Sequence, residues 1–182
     1  NPDENFAILF LDLDRFKNIN DSLGHGFGDK LLIQCGERLL QCIRNIDLVA
    51  RLGGDEFVVL IDSINGVDDA ISIAQRINKD FASSFLINST EISISCSIGI
   101  VQFSNQYDRA EEILRDADIT MYQAKSNGTA RYEIFTMQMR EQAYSRLEIE
   151  TNLRRALDHN EFELYYQPII QLNNKKLSSF EA

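Results

Sequence analysis

The sequence predicts an α/β (α+β) fold with a mixed, mainly antiparallel central sheet flanked by helices, and three observations lead to this prediction. Phe6–Leu11 is an almost unbroken apolar run, as expected of a strand buried on both faces. Strand-like and helix-like segments alternate along the chain, which is typical of helices packed on a sheet. Two β-prone runs, Asp47–Ala50 and Phe57–Ile61, flank Gly53-Gly54. This arrangement indicates a hairpin and therefore an antiparallel pair.

The remaining elements of the first 136 residues follow from the spacing of apolar side chains. A glycine-rich segment, Asn20–Asp29, is predicted to lead as a loop into a helix whose buried stripe begins at Leu32. The other predictions, in chain order, are a helix over 67–85, a strand over 92–100 with one buried face, a helix over 110–126 and a short strand over 131–135.

The composition changes after residue 136, and we divide the chain there. Residues 137–160 are charged and lack Gly and Pro, as expected of a connecting helix. Residues 161–182 begin a further apolar strand and contain a predicted hairpin turn at Asn173–Lys176. The predicted organisation is therefore a domain over 1–136, a linker helix over 137–160 and the start of another domain over 161–182.

Composition limits the classes of partner. The 182 residues carry a net charge of −10, which argues against a nucleic-acid or anionic-membrane surface because those partners select basic patches. No apolar run approaches the ~20 residues of a membrane span, and no signal peptide is recognisable. The three cysteines have apolar neighbours and are interpreted as reduced core residues. We expect a cytoplasmic segment, even if a longer parent protein is tethered to a membrane.

Acidic residues stand at two places where a site commonly forms. Asp12 and Asp14 follow the buried strand and share a face if the strand continues, while Asp55 and Glu56 lie at the hairpin tip. Neighbouring carboxylates repel one another unless a cation is close, and a divalent metal is the usual partner, although a solvated acidic turn has the same pattern. Together with a glycine-rich helix entrance and Lys125, these acids fit metal-assisted phosphoryl or nucleotidyl transfer.

Four motifs in register resemble the GGDEF family of diguanylate cyclases. They are Leu11–Lys17, the segment Asn20–Asp29, Arg51–Phe57 and Ala117–Lys125. The resemblance implies a nucleotide-cyclase-like sheet, similar to a polymerase palm with a ferredoxin-like core. It also implies condensation of two GTP molecules to cyclic di-GMP and pyrophosphate by a homodimer in bacterial signalling.

The resemblance assigns roles to individual residues. It implies Mg²⁺, or Mn²⁺ in its place, held by Asp12, the Leu13 carbonyl, Asp55 and Glu56, with Asp55 and Lys17 as catalytic residues. A metal-bound carboxylate is a weak base, so the effect of the metal on the ribose hydroxyl could be larger than that of Asp55. The substrate-binding positions that it implies are Phe16, Lys17, Asn20, His25, Asp29, Gly53, Gly54 and Lys125.

Two further segments carry expectations about regulation. Arg44 and Asp47 stand at the spacing of the family's inhibitory product site, although R-x-x-D is usually a surface ion pair. Tyr165–Ile170 and Phe180–Ala182 resemble the opening of an EAL phosphodiesterase domain, so the parent is expected to be of GGDEF-EAL type. The later metal ligands of that domain are absent from this chain, which is therefore not expected to hydrolyse cyclic di-GMP.

The chain departs from the family pattern in two respects. The family usually has a further N-terminal segment before the strand that starts at Phe6, and it commonly has arginine where Thr129 stands. Loss of that phosphate contact would weaken GTP binding by about 1.5–3 kcal/mol, unless Arg131 substitutes. The alternative function is therefore a catalytically weak GTP-binding domain that regulates an adjacent EAL domain.

Overall fold

The structure, a computed structural model, describes residues 5–182 and contains two compact units, one ending at Glu141 and the other comprising Gln142–Ala182. The division falls inside the last helix rather than in a loop. The elements of the first unit are β1 (Ala7–Leu13), α1 (Phe16–Leu23), α2 (His25–Gln41), β2 (Leu48–Gly53), β3 (Glu56–Ile61), α3 (Val67–Phe81), β4 (Phe85–Ile87), β5 (Thr90–Ile92), β6 (Cys96–Gln102), α4 (Ala110–Ser126) and β7 (Tyr132–Ile134).

The central sheet has five strands in the order β2-β3-β1-β6-β7. Strand β1 lies in the middle and pairs antiparallel with both β3 and β6, and β2 pairs antiparallel with β3. Only the β6–β7 pair is parallel among the pairs of this sheet. All seven residues of β1 are buried, so the prediction of a central strand in a mixed, mainly antiparallel sheet is confirmed.

The side chains of β1 alternate between two cores. Ala7, Leu9 and Leu11 belong to the larger hydrophobic cluster, which also contains buried residues of α2 and α3. Ile8 and Phe10 belong to the smaller cluster, on the face covered by α4. Because successive side chains of a strand point to opposite faces, Asp12 continues the α4 face. The carboxylate of Asp12 therefore lies at the edge of the smaller hydrophobic cluster.

Helix α4 packs directly against the backbone of β6. A Cβ atom added to Gly99 would lie 2.2 Å from the Ala117 carbonyl oxygen and 2.4 Å from the Met121 nitrogen. Only glycine permits so close an approach at this position. The spacing of α4 from the sheet is therefore set at Gly99, and this spacing determines where the far end of the helix lies.

Several sequence predictions about these elements are wrong in detail. The glycine-rich segment is helical, since α2 begins at His25 and includes Gly26 and Gly28. The predicted strand over 92–100 is divided between β5 and β6, because residues 93–95 connect the β4–β5 hairpin to the central sheet. Strand β6 is buried on both faces rather than one, since α4 covers the face that its small residues leave open.

The helix predicted over 67–85 ends at Phe81, where Arg38 of α2 closes it. The Arg38 guanidinium donates hydrogen bonds to the carbonyl oxygens of Asp80, Ser83 and Ser84 and stacks 3.5 Å from the Phe85 ring centroid. Carbonyl groups at the end of a helix need such donors. The chain can then leave the helix and form β4.

The last elements are α5 (Met137–Asp158), β8 (Gln167–Ile170) and β9 (Leu177–Glu181). A helix is therefore present where the connecting helix was predicted, and β8 and β9 form the antiparallel hairpin expected around residues 173–176. No residue of this hairpin is buried. Across residues 5–182, no helix is both long and apolar enough to cross a membrane.

Candidate functional site

Asp12 ends β1 beside the hairpin tip that carries Asp55 and Glu56, because β3 pairs with β1. Asp12 is the direct cross-strand partner of Glu56 in the β1–β3 register. The Leu13 N–H donates to the Asp55 carbonyl oxygen over 3.3 Å, which ties the hairpin turn to the end of β1. Like charges placed directly opposite each other on neighbouring strands destabilise a sheet. A cation at this position would relieve that repulsion.

Lys125 supplies one such cation from the last turn of α4. Its Nζ lies 2.6 Å from Oδ1 of Asp12. Burial raises the pKa of the Asp12 carboxyl, the contact with Lys125 lowers it, and the charges of Asp55 and Glu56 raise it again. The net direction is upward, so one ammonium group does not balance the burial and the two neighbouring acids. Lys125 therefore lies against Asp12, one of the two strand-end acids.

The donor set at this position fits a magnesium ion. Asp12 Oδ1 is buried and lies 2.6 Å from the Lys125 Nζ, so a bound metal ion would share this oxygen with the ammonium group or displace it. Within residues 5–182, no three acidic, histidine or cysteine side chains converge closely enough to enclose a metal by themselves. Mg²⁺ is usually held by only one or two carboxylates, with waters and substrate phosphates completing the shell. The acids therefore match a site that a nucleotide would complete.

The hairpin tip is shaped by two glycines and an arginine. Gly54 begins the two-residue turn with φ 49°, and a Cβ at Gly53 or Gly54 would meet no atom within 4 Å. The backbone of the turn is thus open to a ligand. The Arg51 guanidinium donates to the Gly54 carbonyl oxygen over 3.0 and 2.7 Å and fixes the turn. Sequence reasoning gave Arg51 no role, although its place three residues before the turn carbonyl was a local signal.

Helices α1 and α2 carry the remaining predicted substrate residues. Phe16 is buried at the start of α1, whereas Lys17 is exposed one residue later. His25 and Asp29 are exposed on one face of α2, four residues apart. Because α1 begins three residues after the end of β1, Phe16 and Lys17 are only four and five residues from Asp12 in the chain.

Asn20 is held against α2 at a glycine that sequence reasoning did not select as a site residue. Its side-chain Oδ1 is buried without a hydrogen-bond partner. A Cβ at Gly28 would lie 1.9 Å from that oxygen, so the amide occupies the space that any other residue at position 28 would fill. The local signal was weak, because Gly28 stood in a segment predicted as a loop rather than inside a helix, where a glycine usually has a packing reason.

Comparison with known proteins identifies the family. Residues 1–131 match the family described as "Diguanylate cyclase, GGDEF domain". The chain belongs to the GGDEF family. Two Pseudomonas aeruginosa proteins are similar over nearly all of it: the bifunctional diguanylate cyclase/cyclic di-GMP phosphodiesterase MucR, 39% identical over 180 residues, and the cyclic di-GMP phosphodiesterase NbdA, 36% identical over 176 residues.

These matches cover 99% and 97% of this chain but 26% and 22% of the two relatives, so the chain spans about a quarter of their length. Among solved structures, the GGDEF domain of TpbB (YfiN) from Pseudomonas aeruginosa is 39% identical with a TM-score of 0.70, covering 73% of this chain and 83% of that chain. The active GGEEF domain of a diguanylate cyclase from Vibrio cholerae is 27% identical with a TM-score of 0.66, covering 72% of this chain and 83% of that chain.

Arg44 and Asp47 lie elsewhere in this GGDEF domain and bind each other. The Arg44 Nη2 is 2.9 Å from Asp47 Oδ1 and also donates to the Asp62 carbonyl oxygen. The Asp47 carboxylate is fully buried and accepts the backbone N–H groups of Arg44 and Asp62. Burial opposes ionisation of this carboxyl, but the hydrogen bonds outweigh it and lower its pKa. The guanidinium is partly exposed, whereas the carboxylate is not.

The loop after α4 in this GGDEF domain contains the departure at Thr129. Thr129 lines a cavity of about 370 Å³ together with Asp14 and Arg15. Arg131 donates to the Asn127 carbonyl oxygen and forms an ion pair with Glu133, each over 2.9 Å. Because Arg131 already binds these two groups, its guanidinium is less available to replace the phosphate contact of the arginine that the family has at position 129.

Proposed function

We propose that this domain condenses two GTP molecules into cyclic di-GMP and pyrophosphate. One relationship carries the proposal. Asp12 of β1 and Glu56 of β3 are cross-strand partners, and Lys125 of α4 contacts the Asp12 carboxylate. A buried carboxylate that lies beside an ammonium group and feels the charges of two further acids is suited to holding a divalent ion and the phosphates that it carries.

The acids of the hairpin and strand would hold the metal and the reacting hydroxyl. In this proposal Asp12, Asp55, Glu56 and the Leu13 carbonyl are the ligands of Mg²⁺ or Mn²⁺. The bound ion supplies charge neutralisation at the phosphates and lowers the pKa of the ribose 3′-hydroxyl. Asp55 accepts the proton of that hydroxyl, whose oxygen then attacks an α-phosphate. The bond from the α-phosphorus to the bridging oxygen breaks, and pyrophosphate leaves.

The other predicted residues would bind the remainder of the nucleotide. Lys17 and Lys125 neutralise phosphate charge as compact ammonium groups, next to the backbone at Phe16. The open turn at Gly53-Gly54 admits the ribose and phosphates against bare backbone.

Guanine recognition is proposed for α1 and α2. The Asn20 amide can donate to and accept from the guanine edge, and the Asp29 carboxylate can accept from its N–H groups, with His25 on the same face of α2 as Asp29. The buried, unpaired Oδ1 of Asn20 supports this role because it retains an unused acceptor.

Catalysis in this proposal requires two copies of the domain. Each site holds one GTP, and cyclic di-GMP has two phosphodiester bonds, so two facing sites can each form one bond. Because the proposal includes a homodimer, activity is measured at several protein concentrations, across the range in which a weak dimer would assemble.

The test is incubation of the protein with GTP and Mg²⁺, followed by chromatographic detection of cyclic di-GMP. Asp55→Ala and Glu56→Gln are compared with Glu91→Ala, a carboxylate of the β4–β5 hairpin outside the site. We expect product from the wild type and Glu91→Ala and little from the two site variants. Absence of product from a wild type that is dimeric and binds GTP would overturn the proposal.

A second candidate function is a GTP-binding domain that regulates an adjacent EAL domain in a GGDEF-EAL parent. Thr129, with Arg131 engaged by Glu133, favours it, since a phosphate contact is then missing. Relatives named cyclic di-GMP phosphodiesterases, such as NbdA, also support it. Residues 161–182 would begin the EAL domain. In the longer protein, GTP should then change the rate of cyclic di-GMP hydrolysis without any synthesis; an unchanged rate would contradict this function.

We also propose that cyclic di-GMP binds at Arg44 and restrains the enzyme. The partly exposed guanidinium retains donor capacity, whereas the buried Asp47 carboxylate would act by holding Arg44 in place. Arg44→Ala should weaken binding of cyclic di-GMP in calorimetry, and Arg109→Ala, which removes an exposed charge at the start of α4, should not. Equal affinity of Arg44→Ala and the wild type would refute this site.

A further inference from the structure

Asp14 connects three segments that are distant in sequence. Its carboxylate accepts a hydrogen bond from Ser97 Oγ over 2.7 Å at Oδ1, and from Ser95 Oγ over 2.6 Å and the Ala130 N–H over 3.0 Å at Oδ2. Its own N–H donates to the Ser95 carbonyl oxygen over 2.9 Å. Asp14 is 7% exposed. This set of contacts, here called the Asp14 clamp, joins the end of β1 to the start of β6 and to the α4–β7 loop.

The loop held by the clamp follows the last turn of α4, which contains Lys125. The Gly128 N–H donates to the Lys125 carbonyl oxygen over 3.2 Å, so the turn starts at the backbone of the lysine whose ammonium reaches Asp12. Gly128 and Ala130 both have left-handed φ, 116° and 62°. A non-glycine residue keeps that conformation only where its surroundings fix it. The Asp14 carboxylate provides this restraint at the Ala130 N–H.

Asp12 and Asp14 together restrain both the side chain of Lys125 and the loop that follows it. Asp12 and Asp14 are two residues apart on one strand end; Asp12 binds the side chain of Lys125, and Asp14 binds the loop that leaves Lys125. The lysine is therefore fixed at its ammonium group and through its backbone turn. Such restraint matters for catalysis, because a displacement of about 1 Å at a reacting group can cost as much as about 100-fold in rate.

We propose that Asp14 is a positioning residue for the phosphate-binding Lys125, acting through the α4–β7 loop. The proposal rests on the proposed function for the role of Lys125, but the clamp itself is independent of it. Three donors of the protein bind the two oxygens of Asp14, so its carboxylate is held within the fold.

Two substitutions separate this role from a role for the charge. Asp14→Asn can place its amide oxygen toward Ala130 and Ser95 and its amide nitrogen toward Ser97, whose hydroxyl can accept. It should therefore retain most activity. Asp14→Ala removes all three contacts and should lower kcat/KM for cyclic di-GMP formation by about 10- to 100-fold. Equal loss in Asn and Ala would mean that the carboxylate charge is required, and would overturn the proposal.

A double-mutant cycle tests whether Asp14 acts through Lys125. If it does, Asp14→Ala should cost little once Lys125→Ala has removed the ammonium, whereas independent or merely structural effects add. Ser95→Ala serves as a milder break of the clamp should Asp14→Ala fail to fold, and Ser84→Ala, which removes a surface hydroxyl bonded to Glu91, is its matched control. Additive losses would overturn the proposal.

Two NMR measurements remain informative even if the protein makes no product. The Ala130 amide should exchange slowly in the wild type and Asp14→Asn and faster in Asp14→Ala. The Lys125 ammonium should gain mobility in Asp14→Ala, as measured by ¹⁵N relaxation. If both signals respond while GTP is neither bound nor converted, the clamp stands and the proposed function fails. If neither signal responds, the clamp is refuted whatever the activity.

Discussion

Gly28 leaves room for the Asn20 amide, since a Cβ at position 28 would lie 1.9 Å from Asn20 Oδ1. It would also lie 3.1 Å from Cζ of Phe16. The atoms in conflict belong to side chains rather than to backbone, so the Asn20 amide can turn away. The contact therefore positions a predicted guanine-binding group more than it supports the fold.

We expect Gly28→Ala to impair nucleotide binding more than stability. Displacement of Asn20 should weaken GTP affinity by about 1–3 kcal/mol, the range for a lost hydrogen-bonding partner at a buried polar group. Calorimetric titration with GTP and thermal unfolding would measure the two effects. Gly26→Ala is the control in the same helix, because its Cβ would meet no atom within 4 Å. Equal affinities of the two variants would contradict the role of Asn20.

Gly99→Ala, in contrast, should lower the stability of the fold. Its Cβ would lie 2.2 Å from backbone of α4, which cannot turn aside as a side chain can. The helix must move from the sheet, and overpacking of this kind typically costs about 1–3 kcal/mol, occasionally more. The free energy of unfolding in urea should fall accordingly. Because α4 carries Lys125, activity should fall as well.

The control for Gly99→Ala is Gly66→Ala. Gly66 has extended backbone, φ 175° and ψ 178°, and a Cβ there would meet no atom within 4 Å. Because Gly66 is the N-cap of α3, where glycine is preferred to alanine, its substitution should cost no more than about 1 kcal/mol. A Gly99→Ala protein as stable and active as Gly66→Ala would show that α4 is not held at this contact.

Local sequence patterns predicted the elements whose causes are local. The apolar run of β1, the glycine turn before Glu56 and the full extent of α4 follow from periodicity and turn chemistry. The family motifs placed Asp12 and Lys125 in one site, and their direct contact is known only from the structure. The domain boundaries at 136 and 160 stay predictions.

The parts that sequence did not predict depend on contacts between distant residues. Asp14 meets Ser95, Ser97 and Ala130 at separations of 81, 83 and 116 residues. No window of sequence contains both partners, so the acid resembled any solvated strand end. Likewise, β6 alternates apolar and small residues, a pattern that predicts one exposed face. In the structure that face is buried, because α4 packs on Gly99.

Asp47 should stabilise the folded protein at neutral pH, and this contribution should be lost in acid. Its folded pKa is lowered, since hydrogen bonds from Arg44 and Asp62 outweigh the effect of burial. The unfolded carboxyl thus binds its proton first as the pH falls. The contribution is present above about pH 4 and is lost as the pH falls through the folded pKa. Asp47→Asn should be less stable than the wild type at pH 7 by about 1–3 kcal/mol.

Urea unfolding between pH 7 and pH 2 would check this prediction. The difference between the wild type and Asp47→Asn should shrink below about pH 4. Asp68→Asn, an exposed acid in the first turn of α3, serves as the control for loss of a charge. A difference that stays constant across the range would show that the Asp47 carboxylate has the same proton affinity in both states.

Tyr107 should make stability depend on alkaline pH. Its hydroxyl donates to Oδ2 of Asp116 over 2.8 Å, and Asp116 is fully buried and paired with Arg140 from the first turn of α5. Burial, followed by the bond to Asp116, raises the pKa of Tyr107 to about 12. Because the unfolded phenol ionises near pH 10, this contribution is fully present below about pH 10 and is lost as the pH rises toward 12.

Tyr107→Phe isolates this effect from the lysines that titrate in the same range. At pH 8 the variant should be less stable by about 1 kcal/mol, the net value of one hydrogen bond. Between pH 10 and 12 its stability should fall less steeply than that of the wild type, so the two curves converge. Tyr144→Phe, at an exposed tyrosine of α5, should follow the wild type throughout. Parallel curves for Tyr107→Phe and the wild type would mean that the Tyr107 phenol ionises as readily in the folded protein as in the unfolded chain.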